Sequence, residues 1–583
     1  MRPHFIPANG RVASLRLSSF HSELAWPARP RFLAPEGLLC SGTAALLAAA
    51  LAWLGPQGTD LAAHAYQRTL FIEHGFRLWN NFWYAGHYSF VTYSVLYYPL
   101  AAVIGIRSLA VATVATAALA FTLVTWHEWG PTARWSSRTF AIVWAGIVLA
   151  GAFPFALGVA LALCALWTLQ ERAQWVFVAL VPLTLAASPL AFALLALIAV
   201  GAALAKRIEA KRAVVPAVAL AATGAFELVL WRIFPDNGRY PFSIADIAAA
   251  SAFSLLGAAL VWRIERALTL RMVLLVYGFA CLVAYRVPSA LGSNITRLQF
   301  VAIPIAVLVV SLRSWRPLPV CLAVIALAVS WNVKPLVRSA AQGLENPATS
   351  FAYWKPAIRF LHAHLKPSYR VEAVDTVGHW PAEFLPASGI PLARGWFRQD
   401  DFPGNAVLYG RLTPARYSAW LRGLGVRYVL LSSAQPDYSA QGEATLLRSG
   451  RSGLWVVFRS PNLTIFGVPA PVGILSGGPA ARLLALTQTR LVLRVPHPGR
   501  YRLAVRYSPY WRTSSGCIVA RPDGMSEVLA PRPGTVVVSF HVGIEQALAT
   551  AIDDAHPTCA PVDRRGASRS APPKWTARVA GVR

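Results

Sequence analysis

Asp60 and His64 are the first residues in this chain whose types and spacing could do chemistry. Asp60 follows an apolar run directly and His64 comes four residues later, so both side chains would share one face of a short helix lying along a membrane. A carboxylate and an imidazole so placed could act as a general base toward a hydroxyl, worth about 10²–10⁴ in rate. They could also help hold a divalent cation. Asp60 suits a second role equally, as the N-cap of a helix over 61–74, because a Thr-Asp pair precedes an Ala-rich run there. Glu73 and His74 follow, then an aromatic segment containing Trp79, Trp83, Tyr84 and Tyr88. Those rings read as a belt at headgroup depth, or as a platform for a sugar or lipid.

A second set lies farther along. Arg286 and Arg297 flank the stretch 287–296, beside Asn294. Two guanidiniums at a membrane face suit a lipid phosphate, because each offers a planar set of donors; snorkelling would place them there as well. His379, Trp380, Glu383, Arg394, Trp396, Arg398, Asp400 and Asp401 crowd one later stretch. Trp among carboxylates is a carbohydrate-contact composition, and it is also what a packed irregular loop contains. No Cys or His spacing resembles a zinc site, so no metal centre is assigned. Cys40, Cys164, Cys281 and Cys321 sit in apolar runs and read as small buried hydrophobes. Cys517 and Cys559 sit in the polar half and would form a disulfide if that half is extracytoplasmic.

The elements that must position these residues follow from composition. The chain has 583 residues, 56% hydrophobic and only 14% charged, which is the profile of a membrane protein. Its formal charge of +29 is nearly all Arg, scattered between apolar runs, with Lys only at 206, 211, 334, 355, 366 and 574. No single basic stripe is present, so a nucleic-acid partner is excluded. Crossings need roughly 20 apolar residues. Candidates are 39–55, 90–106, 108–126, 138–151, 153–169, 174–204, 213–231, 246–262, 271–286, 298–312 and 318–333. The run 174–204 is split by Ser188-Pro189 and could be one kinked pass or two half-helices. Lys206, Arg207, Lys211 and Arg212 make one loop cytoplasmic, as Arg263, Arg266 and Arg271 do for the next and Arg313 and Arg316 for a third. With 174–204 as one pass, about eleven spans result. The N-terminus is then cytoplasmic, and everything after about 334 is extracytoplasmic, together with the loops 58–90, 127–137, 232–245 and 287–297.

The domain reading is a disordered basic cytoplasmic tail over 1–38 and a membrane domain over 39–334 with the outer loop 58–90. An extracytoplasmic α/β domain over 335–470 comes next, then a β-sandwich over 471–560 and a disordered basic tail over 561–583. Strands are expected at 371–374 and 426–431, with a helix between them opened by Thr413-Pro414. A hairpin is expected around Ser460-Pro461-Asn462. In 500–507, Tyr501, Leu503, Val505 and Tyr507 alternate with Arg500, Arg502, Ala504 and Arg506, a period of two.

This order of elements resembles the class C glycosyltransferase fold, whose members take sugars from polyprenyl-phosphate donors. More closely, the chain is similar to the bacterial multi-span membrane proteins labelled 6-pyruvoyl-tetrahydropterin synthase-related, a label that implies no pterin chemistry. The segments that carry the resemblance are 60–99, FPFALG at 153–158, NITR at 294–297, IPLARGW at 390–396, GVRYV at 425–429 and SPYW at 508–511. The resemblance implies that Asp60 is the catalytic or metal-binding carboxylate. The chain departs from the paired Asp-Glu or Asp-x-Asp of many such enzymes, since Leu61 and Ala62 follow Asp60. The resulting expectation is a glycosyltransferase of the cytoplasmic membrane. It would move a sugar from a polyprenyl-phosphate donor to an envelope glycan or protein acceptor at the outer face. Asp60 and His64 would be catalytic, and Arg286, Arg297, Asn294, Glu73, His74, Trp83 and Tyr84 would contact substrate. The alternative is a non-catalytic membrane protein of the same fold that binds lipid-linked glycan or scaffolds envelope assembly.

Overall fold

The computed structural model describes residues 33–206, 210–235, 238–344 and 346–552. The expected tails fall wholly (561–583) or mostly (1–38) outside these residues. The chain starts with α1 (Leu33–Leu54), continues along one face through α2 (Leu61–His74), β1 (Trp79–Asn80), β2 (His87–Tyr88) and α3 (Tyr97–Ile104), and returns in α4 (Ile106–Trp129). Then come α5 (Arg134–Trp144), α6 (Ile147–Ala150), α7 (Phe153–Gln170), α8 (Gln174–Ala187), α9 (Pro189–Lys206) and α10 (Ala210–Ile233). The membrane part closes with α11 (Ile244–Leu260), α12 (Leu268–Arg286), α13 (Ala302–Leu312) and α14 (Leu318–Gly343). Among the described residues eight stretches are long and apolar enough to cross a membrane, and α8 and α11 are shorter apolar helices. One of the eight, Ile106–Ala150, doubles back at Gly130, where Phe121 stacks on Phe140 at 4.1 Å.

Three of the expected assignments change. The stretch 90–106 does not cross. Val95 and Leu96 both donate to Ala186 O at 2.9 Å, and Gly105 turns the chain at φ +83°. The eight-residue α3 therefore stays at the face where α1 ended. The run 174–204 forms two separate helices, α8 and α9. Ser188 is extended, as a residue before proline must tend to be, and α9 ends beside α4, with Lys206 Nζ 2.7 Å from Glu128. The loop 127–137 lies on the opposite face from that expected. Glu36 at the start of α1 accepts from Arg138 at 2.7 and 3.0 Å, which ties that loop to the basic face shared by Lys206, Arg266 and Arg313.

The second half forms two further units. After α15 (Phe351–His364), the strands β3 (Arg370–Ala373), β4 (Val426–Ser432), β5 (Trp455–Arg459) and β6 (Leu463–Gly467) make a sheet in the order β3-β4-β6-β5, with β3 parallel to β4. The crossover contains α16 (Pro381–Ala387) and α17 (Pro414–Gly423), the latter capped as expected by Thr413, which accepts from Arg416 N. Strands β7 (Leu475–Ser476) to β14 (Gly534–Phe540) form two four-stranded antiparallel sheets that enclose Leu483, Leu493, Tyr501, Leu503, Val528 and Val538. Tyr501 and Leu503 point inward, while Arg500 and Arg502 point out to Glu527 and Asp523. Cys517 is disulfide-bonded; Cys559, its expected partner, lies outside the described residues.

The first outer loop ties the three parts together. Trp79 is packed into the sandwich core against Trp511 and Phe540, with centroids 5.3 and 5.2 Å away. Trp83 donates to Ala382 O at 2.9 Å, and Arg506 donates to Tyr84 O at 3.0 Å. Gly395 is required opposite it, because a Cβ there would fall 2.7 Å from the Trp83 ring. Trp79, Trp83, Tyr84 and Tyr88 are at most 4% exposed. They are neither a headgroup belt nor an open platform, because protein rather than lipid covers them.

Candidate active site

Asp60 is held by the end of α6. Asp60 N donates to Ala150 O at 3.3 Å, and Thr59 donates to Leu149 O and Ala150 O. Gly151, at φ +71°, makes this approach possible, since a Cβ there would lie 2.9 Å from Asp60 N. The Asp60 side chain makes no capping bond to α2. It accepts instead from Trp396 Nε1 of the outer α/β unit, Oδ1 at 3.1 Å. The capping role is therefore not the one it takes.

Arg297 lies on the 3₁₀ segment Gly292–Val301 that leads into α13. Its guanidinium sits 5.4 Å over the Phe155 ring, and no carboxylate among the described residues forms an ion pair with it. Burial pushes the neighbouring Tyr93 phenol up to about 12, against the pull of Arg297. Asp60, Asn294 and Arg297 line one cavity of about 420 Å³. Its roof is His379, Trp396, Arg398 and Asp437 from the α/β unit, and its side is Glu227 and Trp231 of α10 with Tyr240. Toward the membrane it continues along Leu190, Phe192, Ala193 and Gly224, beside the mostly exposed α10. The cavity is charged at one end and apolar at the other, which is the arrangement an amphiphile needs.

The other expected residues fall elsewhere. His64 is fully buried, 5.5 Å from the Trp396 ring and 3.1 Å from Tyr98 Oη. It lines no part of the cavity. Burial, helped by the nearby Arg297 charge, pulls its pKa down to about 3, so it packs as a neutral, weakly basic ring outside the cavity. Arg286 is exposed at the end of α12, away from the cavity, as its alternative of topology and snorkelling would have it. Glu73 and His74, 3.8 Å apart, sit at the far end of α2. Trp83 and Tyr84 are buried joints of the outer units. Arg394 is a buried link, 2.9 Å from Glu372 and 3.2 Å from Glu443. Asp401 accepts from Tyr409 and Asn405. Among the described residues no three His, Cys, Asp or Glu gather into a metal-holding group.

A second cavity of about 770 Å³ opens at the basic face. It is mainly apolar, and its acid Glu128 is engaged by Lys206 and Thr269, both at 2.7 Å. The cavity at Asp60 is the one where acids, cations and aromatic rings from three parts of the chain converge.

No protein-family model and no curated protein matches the chain. Among solved structures, arabinofuranosyltransferase AftD from Mycobacteria is similar at 16% identity with a TM-score of 0.44. The likeness covers 76% of this chain and 40% of that one, so the present chain spans well under half of AftD's length. ArnT from Cupriavidus metallidurans bound to undecaprenyl phosphate is similar at 13% identity with a TM-score of 0.35, over 74% of this chain and 98% of that one. Both lie at a level of likeness too low to carry an inference about this chain. The functional reading rests on the cavity.

Sequence reasoning missed Tyr93, Tyr240 and Asp437 as cavity residues. Glu227 carried a usable signal, as the single acid inside an otherwise apolar run, where ionisable groups are costly unless they face a cavity. Tyr240 and Asp437 carried none, since each is an ordinary loop residue until the outer unit docks.

Proposed function

We propose that the protein is a membrane glycosyltransferase that takes a sugar from a polyprenyl-phosphate donor at the outer face of the cytoplasmic membrane. The basic face is then cytoplasmic, in line with the positive-inside rule, and the α/β and sandwich units are extracytoplasmic. The observation that carries this reading is the shared cavity of Asp60 and Arg297, with an apolar groove leading from it toward lipid. The prenyl chain would follow Leu190, Phe192 and Gly224, with its phosphate at Arg297 and Asn294. The acceptor hydroxyl would approach Asp60, whose carboxylate orients it and takes its proton. As the acceptor oxygen bonds to the anomeric carbon, the carbon–oxygen bond to phosphate breaks. The electron pair leaves on the phosphate, where Arg297 stabilises the developing charge. Trp396 fixes the carboxylate by its N–H bond.

The test is transfer of radiolabelled sugar from a prenyl-phosphate donor to isolated envelope glycan by the full-length protein in vesicles. Asp60→Asn keeps an acceptor for Trp396 and removes the base, so transfer should fall by about 10²–10⁴. A scaffold would show no transfer at all and would keep its cellular role with Asn at 60.

A further inference from the structure

The roof of the cavity holds a second polar pair, His379 and Asp375, which the reaction above does not use. His379 Nδ1 lies 2.8 Å from Asp375 Oδ2, and Arg398 bridges Asp375 at 2.9 Å and Asp437 at 2.6 Å. Asp437 also accepts from Ser439 N at 2.9 Å. His379 is 9% exposed, and the part of it left open faces the cavity. Its backbone is in the left-handed region, at φ +58° directly after Gly378 at +88°. Such a backbone conformation persists where the surroundings over-determine it. Here a buried carboxylate fixes the imidazole, and a guanidinium shared with a second carboxylate fixes that carboxylate.

We propose that His379, oriented by Asp375 and set beside Trp396 and Asp437, forms the acceptor subsite and that the acceptor it takes is a carbohydrate. This rests on the transferase reading above. An anionic acceptor does not suit this roof. Arg398 is already shared between Asp375 and Asp437, with Asp401 3.6 Å away, so the cluster carries more carboxylates than cations. A sugar does suit it. Asp437 offers carboxylate oxygens for hydroxyls, Trp396 an aromatic ring, and His379 one ring nitrogen whose direction the other nitrogen's bond to Asp375 sets. The groups come from different parts of the chain, with donor phosphate at Arg297 of the helical part and acceptor at the α/β unit. Asp60 is joined to that unit through its bond to Trp396.

The experiment uses the full-length protein in vesicles with His379→Ala, His379→Gln and Asp375→Asn. Three readouts are taken: binding of a short-chain prenyl phosphate, transfer kinetics with isolated envelope glycan, and thermal unfolding. His379→Ala should raise KM for the glycan about ten- to a hundredfold, the scale of a lost hydrogen bond to a charged or oriented group. It should leave prenyl phosphate binding within about twofold. His379→Gln should recover part of the loss, and Asp375→Asn should show the same split. An unchanged KM for glycan, or equal losses for glycan and prenyl phosphate, would overturn the proposal. If the unaltered protein transfers nothing, the transferase reading fails. Titration of the glycan fraction against unaltered protein and His379→Ala then decides the subsite: binding by the former alone sustains it, and equal or absent binding ends it.

Discussion

Arg297→Gln separates function from stability more cleanly than any other change in this molecule. The guanidinium rests on Phe155 at 5.4 Å and reaches Tyr93, yet forms no ion pair with a carboxylate among the described residues. Its removal therefore strands no buried anion. The cost to folding is the cation–π contact and some stem packing, about 1 kcal/mol. The cost to catalysis is larger, because the leaving phosphate loses charge-assisted hydrogen bonds worth about 1.5–3 kcal/mol. That is about 10- to 150-fold in prenyl phosphate affinity, and more in turnover if the charge grows in the transition state, about 10²–10³. Arg297→Lys should recover only part, since a point charge does not reproduce a planar pair of donors. The assay pairs kcat/KM for a prenyl-phosphate sugar with thermal unfolding of the same preparation. Transfer within threefold of the unaltered protein, at unchanged stability, would refute the placement of phosphate at Arg297.

Arg394→Ala should do the reverse. It leaves Glu372 and Glu443 buried without their cation, so unfolding free energy should drop by about 3–5 kcal/mol, read as an early thermal transition with lost transfer secondary to it. Trp83→Ala should cost about 3–5 kcal/mol and expose the junction to limited proteolysis near 76–96. Acid should weaken the fold through His64 and His87, both pulled down by burial to about 3. The unfolded chain binds protons on them below about 6.5 while the folded chain does not. Stability is then fully present above that pH and falls by up to about 1.4 kcal/mol per unit for each group between about 6 and 3. His64→Gln should flatten the slope of melting temperature against pH; an unchanged slope would place the effect elsewhere.

Local patterns were legible wherever local physics decides structure. The Thr413 cap and the turn at Ser460-Pro461-Asn462 fell where propensity put them, while the alternation over 500–507 held only as far as Leu503: the pairing shifts between Leu503 and Arg506, Ala504 is buried, and Tyr507 lies past the strand. Asp60, Asn294 and Arg297 were readable as polar groups at membrane boundaries. The first loop was not. Trp79 and Trp83 have the composition of interfacial anchors, and only the arrival of Trp511, Phe540 and Ala382 makes them core. The stretch 90–106 was misread because apolar length does not tell a pass from a buried surface helix, and the same length left 174–204 open between one kinked pass and two helices. For His64 a spacing of four gives a shared face but not what covers it, and the structure buries it.

The hairpin at 79–88 joins parts that leave the ribosome far apart in time. Tyr88 hydrogen-bonds Ser508, 420 residues later, and Arg506 reaches Tyr84 across 422. At about 5–20 residues per second, translation takes roughly 20–80 s to deliver that partner. Through that interval the early tryptophans lack the partners that cover them, so the nascent chain depends on chaperones or on the bilayer surface. A product truncated before the last strands would keep its helices in the membrane and stay a permanent target for quality-control proteolysis.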